Sequence, residues 1–249
     1  TIMIETYIKE LVTYGLNKGL VDPADEIYVT NRLLELFDIQ EYTEPAEIPS
    51  RPLVDILNDM LDYAYRHKLM GDDTITNRDL FDTKIMGMLT PAPSVVRKIF
   101  ADKYAVSPKE ATNYYYAFSK ATNYIREDRI AKDEKWVTET EYGPIDITIN
   151  LSKPEKDPRD IANALKSKAA GYPKCMLCVE NPGYAGRPGF PARQNHRMIP
   201  LNLNGESWHM QYSPYLYYNE HCIVLSDIHR PMAISEAGFR RLFAFVEQF

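Results

Sequence analysis

The hydrophobic pattern of this 249-residue chain changes period once, and that change limits the possible folds more than any other feature. Up to about residue 130 the apolar residues recur every three or four positions, the spacing that lines one side of a helix. IETYIKELVTYGLNKGL puts Ile4, Ile8, Leu11 and Val12 on one face, and Gly19 suits the left-handed turn that ends a helix. A Pro-rich link, EYTEPAEIPSRP, precedes LVDILNDMLDYAYRHKL, which again has helical spacing. Further helices are expected over residues 77–89, 94–104 and 107–130. The last has Ser107 as cap, Pro108 in the first turn and Glu110 at the third position.

Beyond Lys135 the period becomes two. WVTETEYGPIDITINL holds two alternating runs around Tyr142, Gly143 and Pro144, a pattern of paired strands with Ile145, Ile147 and Ile149 on one face. DPRDIANALKSKAAG fits one short helix, entered through Asp157 and Pro158 and stopped by Gly171. RMIPLNL, SWHMQYSPYLYY and EHCIVLS read as strands, and a terminal helix begins at Ser235. The expectation is an α+β chain, with an all-helical domain over residues 1–132 and a sheet-bearing domain over 133–249. The final helix runs into the apolar Phe249 with no Gly, Pro or polar tail, which reads as a chain truncated at its C-terminus.

Eighteen tyrosines are many for this length, and YYYAF at residues 114–118 is the densest run. On a helix such a run exposes some rings unless a neighbouring layer covers them, so packing between layers is the expected role. The net charge of -6 gives no help to nonspecific nucleic-acid binding, which draws on Lys and Arg to neutralise phosphate. No apolar run reaches membrane-spanning length, and the first residues are acidic and amphipathic, unlike a signal peptide. Three cysteines fit reduced thiols better than a disulfide framework, and a cytoplasmic location is expected.

Two of those cysteines, Cys175 and Cys178, stand in KCMLCVENPG. The C-x-x-C spacing serves a tetrahedral metal ion or a redox dithiol equally well. Gly171, Tyr172 and Pro173 before the pair, and Asn181, Pro182 and Gly183 after it, describe a knuckle in a loop; a redox pair is favoured at a helix start. Four later histidines are available as further ligands: His196, His209, His221 and His229. His229, in DIHRPM just past an apolar run, sits where a strand end can aim a side chain without disturbing the sheet, although such a position also suits a solvated loop histidine.

YPKCMLCVENPGYAGRPGFPARQNHRMIPL followed by YYNEHCIVLSDIHRPMAIS resembles the second class of galactose-1-phosphate uridylyltransferases, also called UDP-glucose–hexose-1-phosphate uridylyltransferases. The resemblance is most specific over residues 172–234 and extends through the helical lead-in, matching the N-terminal half of that family. It implies a partial histidine-triad-like antiparallel sheet and transfer of UMP through a covalent uridylyl-histidine. The substrates implied are UDP-glucose and galactose 1-phosphate, and the products glucose 1-phosphate and UDP-galactose.

By the same resemblance, Cys175, Cys178 and His229 hold a structural zinc ion, with the fourth ligand and the nucleophile in a His-x-His segment. No such segment occurs in these 249 residues, so the chain alone is expected to be inactive. Asn195 and Leu177 are the implied uridine-side residues. Lys153 and Lys156 are the implied phosphate contacts, with Arg193 and Arg197 as alternatives. A homodimer is the expected assembly. The competing reading is a zinc-knuckle interaction module or single-stranded RNA binder, in which the tyrosines stack on bases; one knuckle and a negative charge weigh against it.

Overall fold

The computed structural model describes residues 3–152, 158–166, 171–215 and 218–249. Helices come first: α1 (Ile4–Asn17), α2 (Glu26–Leu36, after a 3-10 turn at Pro23–Asp25), α3 (Leu53–Arg66), α4 (Ile75–Leu89), α5 (Pro93–Val106), α6 (Pro108–Ala121) and α7 (Glu127–Ile130). The apolar face read from α1 is buried in full, and Gly19 ends that helix region with φ +70°. Arg51 fastens α1 to α3. Its guanidinium forks onto the buried Glu10 carboxylate at 2.8 and 3.2 Å and also reaches Asp59 at 2.6 Å.

The Ser107 cap forms as expected, with its hydroxyl accepting the Glu110 N–H at 3.1 Å. The single helix expected over 107–130 does not. Asn123 adopts φ +59°, the left-handed conformation that terminates helices, and α6 ends at Ala121. The break lets Tyr124 and Ile125 turn inward to 6% and 1% exposure, burial that a straight helix would have spread around its circumference.

Strands β1 (Glu134–Thr140) and β2 (Gly143–Ile149) form an antiparallel hairpin, with Trp136 opposite Ile147 and Thr138 opposite Ile145. Helix α8 (Pro158–Lys166) follows, and then a three-stranded antiparallel sheet in the order β3 (Ile199–Leu203), β4 (Glu206–Tyr212), β5 (Cys222–Ser226). Asn204 and Gly205 join β3 to β4 with φ of +53° and +80°, the pair of left-handed residues that a tight hairpin turn needs. Helix α9 (Glu236–Gln248) closes the chain, capped by the Ser235 hydroxyl on the Gly238 N–H at 3.1 Å. Among the described residues no helix is long and apolar enough to cross a membrane.

Alternation in β3 turns Ile199, Leu201 and Leu203 toward the helices, where they join Met210 and Tyr212 in a hydrophobic cluster continuous with α1 through α6. Burying an aliphatic chain of this kind stabilises by about 1.5–3 kcal/mol, so this sheet face is a substantial anchor. The tyrosine run supplies the other side of the contact. The Tyr115 ring lies 5.1 Å from that of Tyr212, its hydroxyl donates to the Arg197 carbonyl at 2.5 Å, and the Tyr212 hydroxyl donates to the Thr112 carbonyl at 3.1 Å.

The lead-in to β3 lies against α4 so closely that a Cβ on Gly87 would come within 2.5 Å of the Gln194 Cβ. There Arg197 is 8% exposed and donates to carbonyls of two segments: Pro91 at 2.7 Å and Thr90 at 3.4 Å, Gln194 at 2.9 Å and His196 at 2.7 Å. Burial lowers its pKa to about 10, which leaves it charged at neutral pH. Next to it His196 stacks on Tyr124 with centroids 4.2 Å apart, and its Nε2 lies 3.1 Å from Gln211 Oε1.

Two predictions come from this seam. Replacing Arg197 by Met strands buried carbonyl oxygens and should lower unfolding free energy by about 2–4 kcal/mol in urea titrations. A loss of about 0.5 kcal/mol or less, the size of an ordinary surface substitution, would contradict the anchoring role.

His196 is driven from 6.5 to about 3, first by burial and then by the Arg193 charge. Between those values the unfolded chain binds a proton that the folded chain refuses, so stability is lost as pH falls through that window, at up to about 1.4 kcal/mol per pH unit. The H196Q variant should show a shallower pH slope than the parent chain over the same range.

Candidate metal centre

The knuckle begins as a turn closed by the Cys178 N–H on the Cys175 carbonyl at 3.3 Å. The Leu177 N–H points at Cys175 Sγ from 3.4 Å, so the backbone already offers a donor to that sulfur. Asn181, fully buried, clasps the turn from inside, its Nδ2 donating to the carbonyls of Cys175 and Cys178 at 2.8 Å each. These contacts set both thiols on one side, with their sulfurs 3.3 Å apart. The sequence marks Asn181 only as one of the loop-forming residues after the pair; its clasp on both cysteine carbonyls is a feature of the fold.

Beyond the knuckle the loop doubles back on itself. Gly183 N–H donates to the Arg193 carbonyl at 2.8 Å and Arg193 N–H to the Tyr184 carbonyl at 2.7 Å. Gly186 has φ +75°, and a Cβ there would fall 2.5 Å from the Ala192 nitrogen, so only glycine permits this approach. The Arg187 guanidinium sits over the Phe190 ring at 4.6 Å and donates to the Tyr172 carbonyl at 3.0 Å.

His229 arrives from the far side, three residues past the end of β5. Its Nδ1 lies 3.1 Å from Cys178 Sγ, and the two sulfurs and one ring nitrogen all fall within 4.8 Å of one another. The segment after β5 is held by Ser226, whose hydroxyl accepts from the Ile228 N–H at 3.2 Å and from Arg230 Nε at 3.0 Å, and by an Arg230 ion pair to Glu206.

Two thiols and an imidazole converging at this separation suit zinc, which takes thiolate and histidine ligands in a tetrahedral arrangement. The other three histidines of the second half are elsewhere. His196 is buried against Tyr124, His209 lies within the sheet, and His221 precedes β5.

The residues expected on the substrate side divide. Leu177 is 41% exposed on the knuckle. Arg193 lies over the Tyr124 ring at 5.5 Å and donates to the Ala192 carbonyl at 3.3 Å. Asn195 is 3% exposed and its Nδ2 donates to the Thr122 carbonyl at 2.9 Å. Arg197 spends its N–H groups on the carbonyls described above. Lys153 and Lys156 lie outside the described residues.

A family model described as galactose-1-phosphate uridyl transferase, N-terminal domain, matches residues 19–231. A galactose-1-phosphate uridylyltransferase of Butyrivibrio fibrisolvens is 50% identical over 249 residues, covering 99% of this chain and 64% of that one. The enzyme of that name from Clostridium acetobutylicum is 52% identical over 247 residues, covering 98% of this chain and 49% of its own length. The Bacillus subtilis protein is 46% identical over 248 residues, covering 98% and 48%. The chain thus spans about half the length of most of these curated relatives. No solved structure matches it.

Burial, and next the hydrogen bond with Cys175, push the Cys178 thiol up to about 11. A thiol must lose its proton to bind a metal, so protons compete with the ion and affinity should climb with pH, by up to about tenfold per unit for each proton released. Competition against a chromophoric chelator between pH 6 and 8 measures this. C178S should abolish tight zinc binding; equal affinity in C178S and the parent chain would reject the site.

Proposed function

Because the chain belongs to the galactose-1-phosphate uridylyltransferase family, we propose that it forms the nucleotide-binding N-terminal part of an enzyme exchanging UMP between UDP-glucose and galactose 1-phosphate. The observation that carries the reading is the meeting of the Cys175–Cys178 knuckle with His229, fifty-one residues away, inside the segment that the family model matches. In this reading a histidine nitrogen attacks the α-phosphorus of UDP-glucose, and glucose 1-phosphate leaves with the electron pair of the broken P–O bond. A phosphate oxygen of galactose 1-phosphate then attacks the phosphoramidate, UDP-galactose departs and the imidazole is restored. The nucleophile is assigned to a His-x-His segment, and none of the 249 residues supplies one.

The residues present divide the remaining work. A zinc ion held by Cys175, Cys178 and His229 would act as a structural clamp between knuckle and sheet, making and breaking no bond of the substrate. Leu177 is the exposed apolar surface assigned to a uracil face, and the half-buried Arg193 the guanidinium assigned to phosphate. Asn195 and Arg197 hold the backbone beneath them through the carbonyls of Thr122, Thr90 and Pro91. Lys153 and Lys156 stay in the proposal as phosphate contacts on the resemblance alone. The division into a helical domain of residues 1–132 and a catalytic portion of 133–249 belongs to the same proposal, as do a cytoplasmic location and a homodimer. The dimer draws support from the exposed apolar stripe of α9, Phe239, Leu242, Phe243 and Val246.

Calorimetric titration with UDP-glucose and with a single-stranded oligonucleotide separates this reading from an RNA-binding knuckle. Saturable binding of the nucleotide sugar and none of the oligonucleotide are expected. With both substrates present, this chain alone should give no sustained exchange; turnover by it would overturn the assignment of the nucleophile to a His-x-His segment.

A further inference from the structure

His209 is 8% exposed on β4, on the sheet face opposite Met210 and Tyr212, and its Nδ1 lies 2.5 Å from the Oδ1 of Asp227. Cα pairing sets His209 opposite Leu225, so Asp227, one residue past the end of β5, continues that same face and lies two positions before His229. The other ring nitrogen, Nε2, is 3.4 Å from Nη2 of Arg97 on α5. A guanidinium only donates, so Nε2 accepts and the proton sits on Nδ1, directed at the Asp227 carboxylate. The backbone adds to the grip, with the Asp227 N–H donating to the Ser207 carbonyl at 3.3 Å. Arg97, His209 and Asp227 therefore form a chain of contacts from a helix of the first half, through the central strand, to the segment presenting His229.

We propose that His209 is a positioning residue for the metal centre: by holding Asp227 it fixes where the β5 exit turns, and so where His229 meets the two cysteines. His229 itself is exposed. Its aim depends on the two anchored residues that flank it, Asp227 on His209 and Arg230 on Ser226 and Glu206. His209 is the most sheltered of the four side chains in the two ion pairs, 11% exposed against 39% for Arg230, with Asp227 and Glu206 at 30% and 25%. Outer contacts that orient a metal ligand typically govern affinity by about tenfold to a hundredfold. The effect on zinc rests on the metal-centre reading; the placement of His229 does not.

Three variants of the 249-residue chain test it. H209A removes the donor to Asp227. H209N retains an N–H near the position of Nδ1. M210A cuts an adjacent buried side chain on the opposite sheet face and controls for general loosening of β4. In metal-free protein, nuclear Overhauser contacts between the His229 ring and the Cys178 β-protons report the placement directly. They should vanish in H209A and persist in H209N and M210A. Zinc affinity should fall by about tenfold or more in H209A, recover in H209N and change little in M210A.

Contacts that survive in H209A, or are lost equally in M210A, overturn the proposal. If the parent chain binds no zinc, the metal reading fails, while the proton contacts still decide the positioning role.

Discussion

A buried guanidinium whose hydrogen bonds among the described residues all go to main-chain carbonyls is the constraint on which the second half of this chain depends. Arg197 brings a charge into the seam between α4, α5 and β3, where four main-chain carbonyls answer it. Four oxygens from two stretches of chain must stay in place together, because losing any one leaves either the charge or a carbonyl poorly solvated. The lead-in to β3 is thereby fixed to the turn between α4 and α5. Tyr115 holds the same peptide from the opposite side, and Gly87 makes the room. With β3 placed, pairing carries β4 and β5 into register, and the exit of β5 brings His229 to the knuckle.

The knuckle itself has little hydrophobic support. Between Gly171 and Arg193 only Pro173, Cys178, Asn181 and Ala192 are buried. A segment with so small an apolar core relies on directed contacts, and the loop has them: the Asn181 clasp, the paired backbone bonds between Gly183, Tyr184 and Arg193, and Arg187 over Phe190. Small loop-rich elements elsewhere use metals or disulfides for the same purpose. Two thiols and an imidazole gathered at the knuckle's tip suit that role, since an ion bound there would join a thinly supported segment to a sheet packed on the helical core.

This division of labour also suits the proposed function. Transfer of a nucleotidyl group asks for donors and cations already in place when charge on the phosphate oxygens shifts, and for little motion of the groups around them. In the function proposed above, a loop whose backbone is pinned at both ends, by Asn195 on Thr122 and by the knuckle on the β5 exit, would present its nucleoside-facing surface at small entropic cost.

Much of the fold is written in local pattern. The buried face of α1, the Ser107 and Ser235 caps, the strand alternation and the Asn204–Gly205 turn each follow from residues within a few positions of one another. The cysteine pair could be read as a ligand-bearing turn for the same reason, because the spacing alone brings two sulfurs to one side. The break at Asn123 was not legible, since the helical pattern runs through it and the gain from burying Tyr124 and Ile125 exists only once the sheet is there to receive them. His229 was singled out by its place at a strand end and by the family resemblance, and it does face the cysteines, but the sequence did not determine that Asn195 and Arg197 would serve the backbone, or that His209 would meet Asp227. Short-range periodicity fixes which residues share a face, whereas which faces meet is settled by burial and strand pairing between segments far apart in the chain.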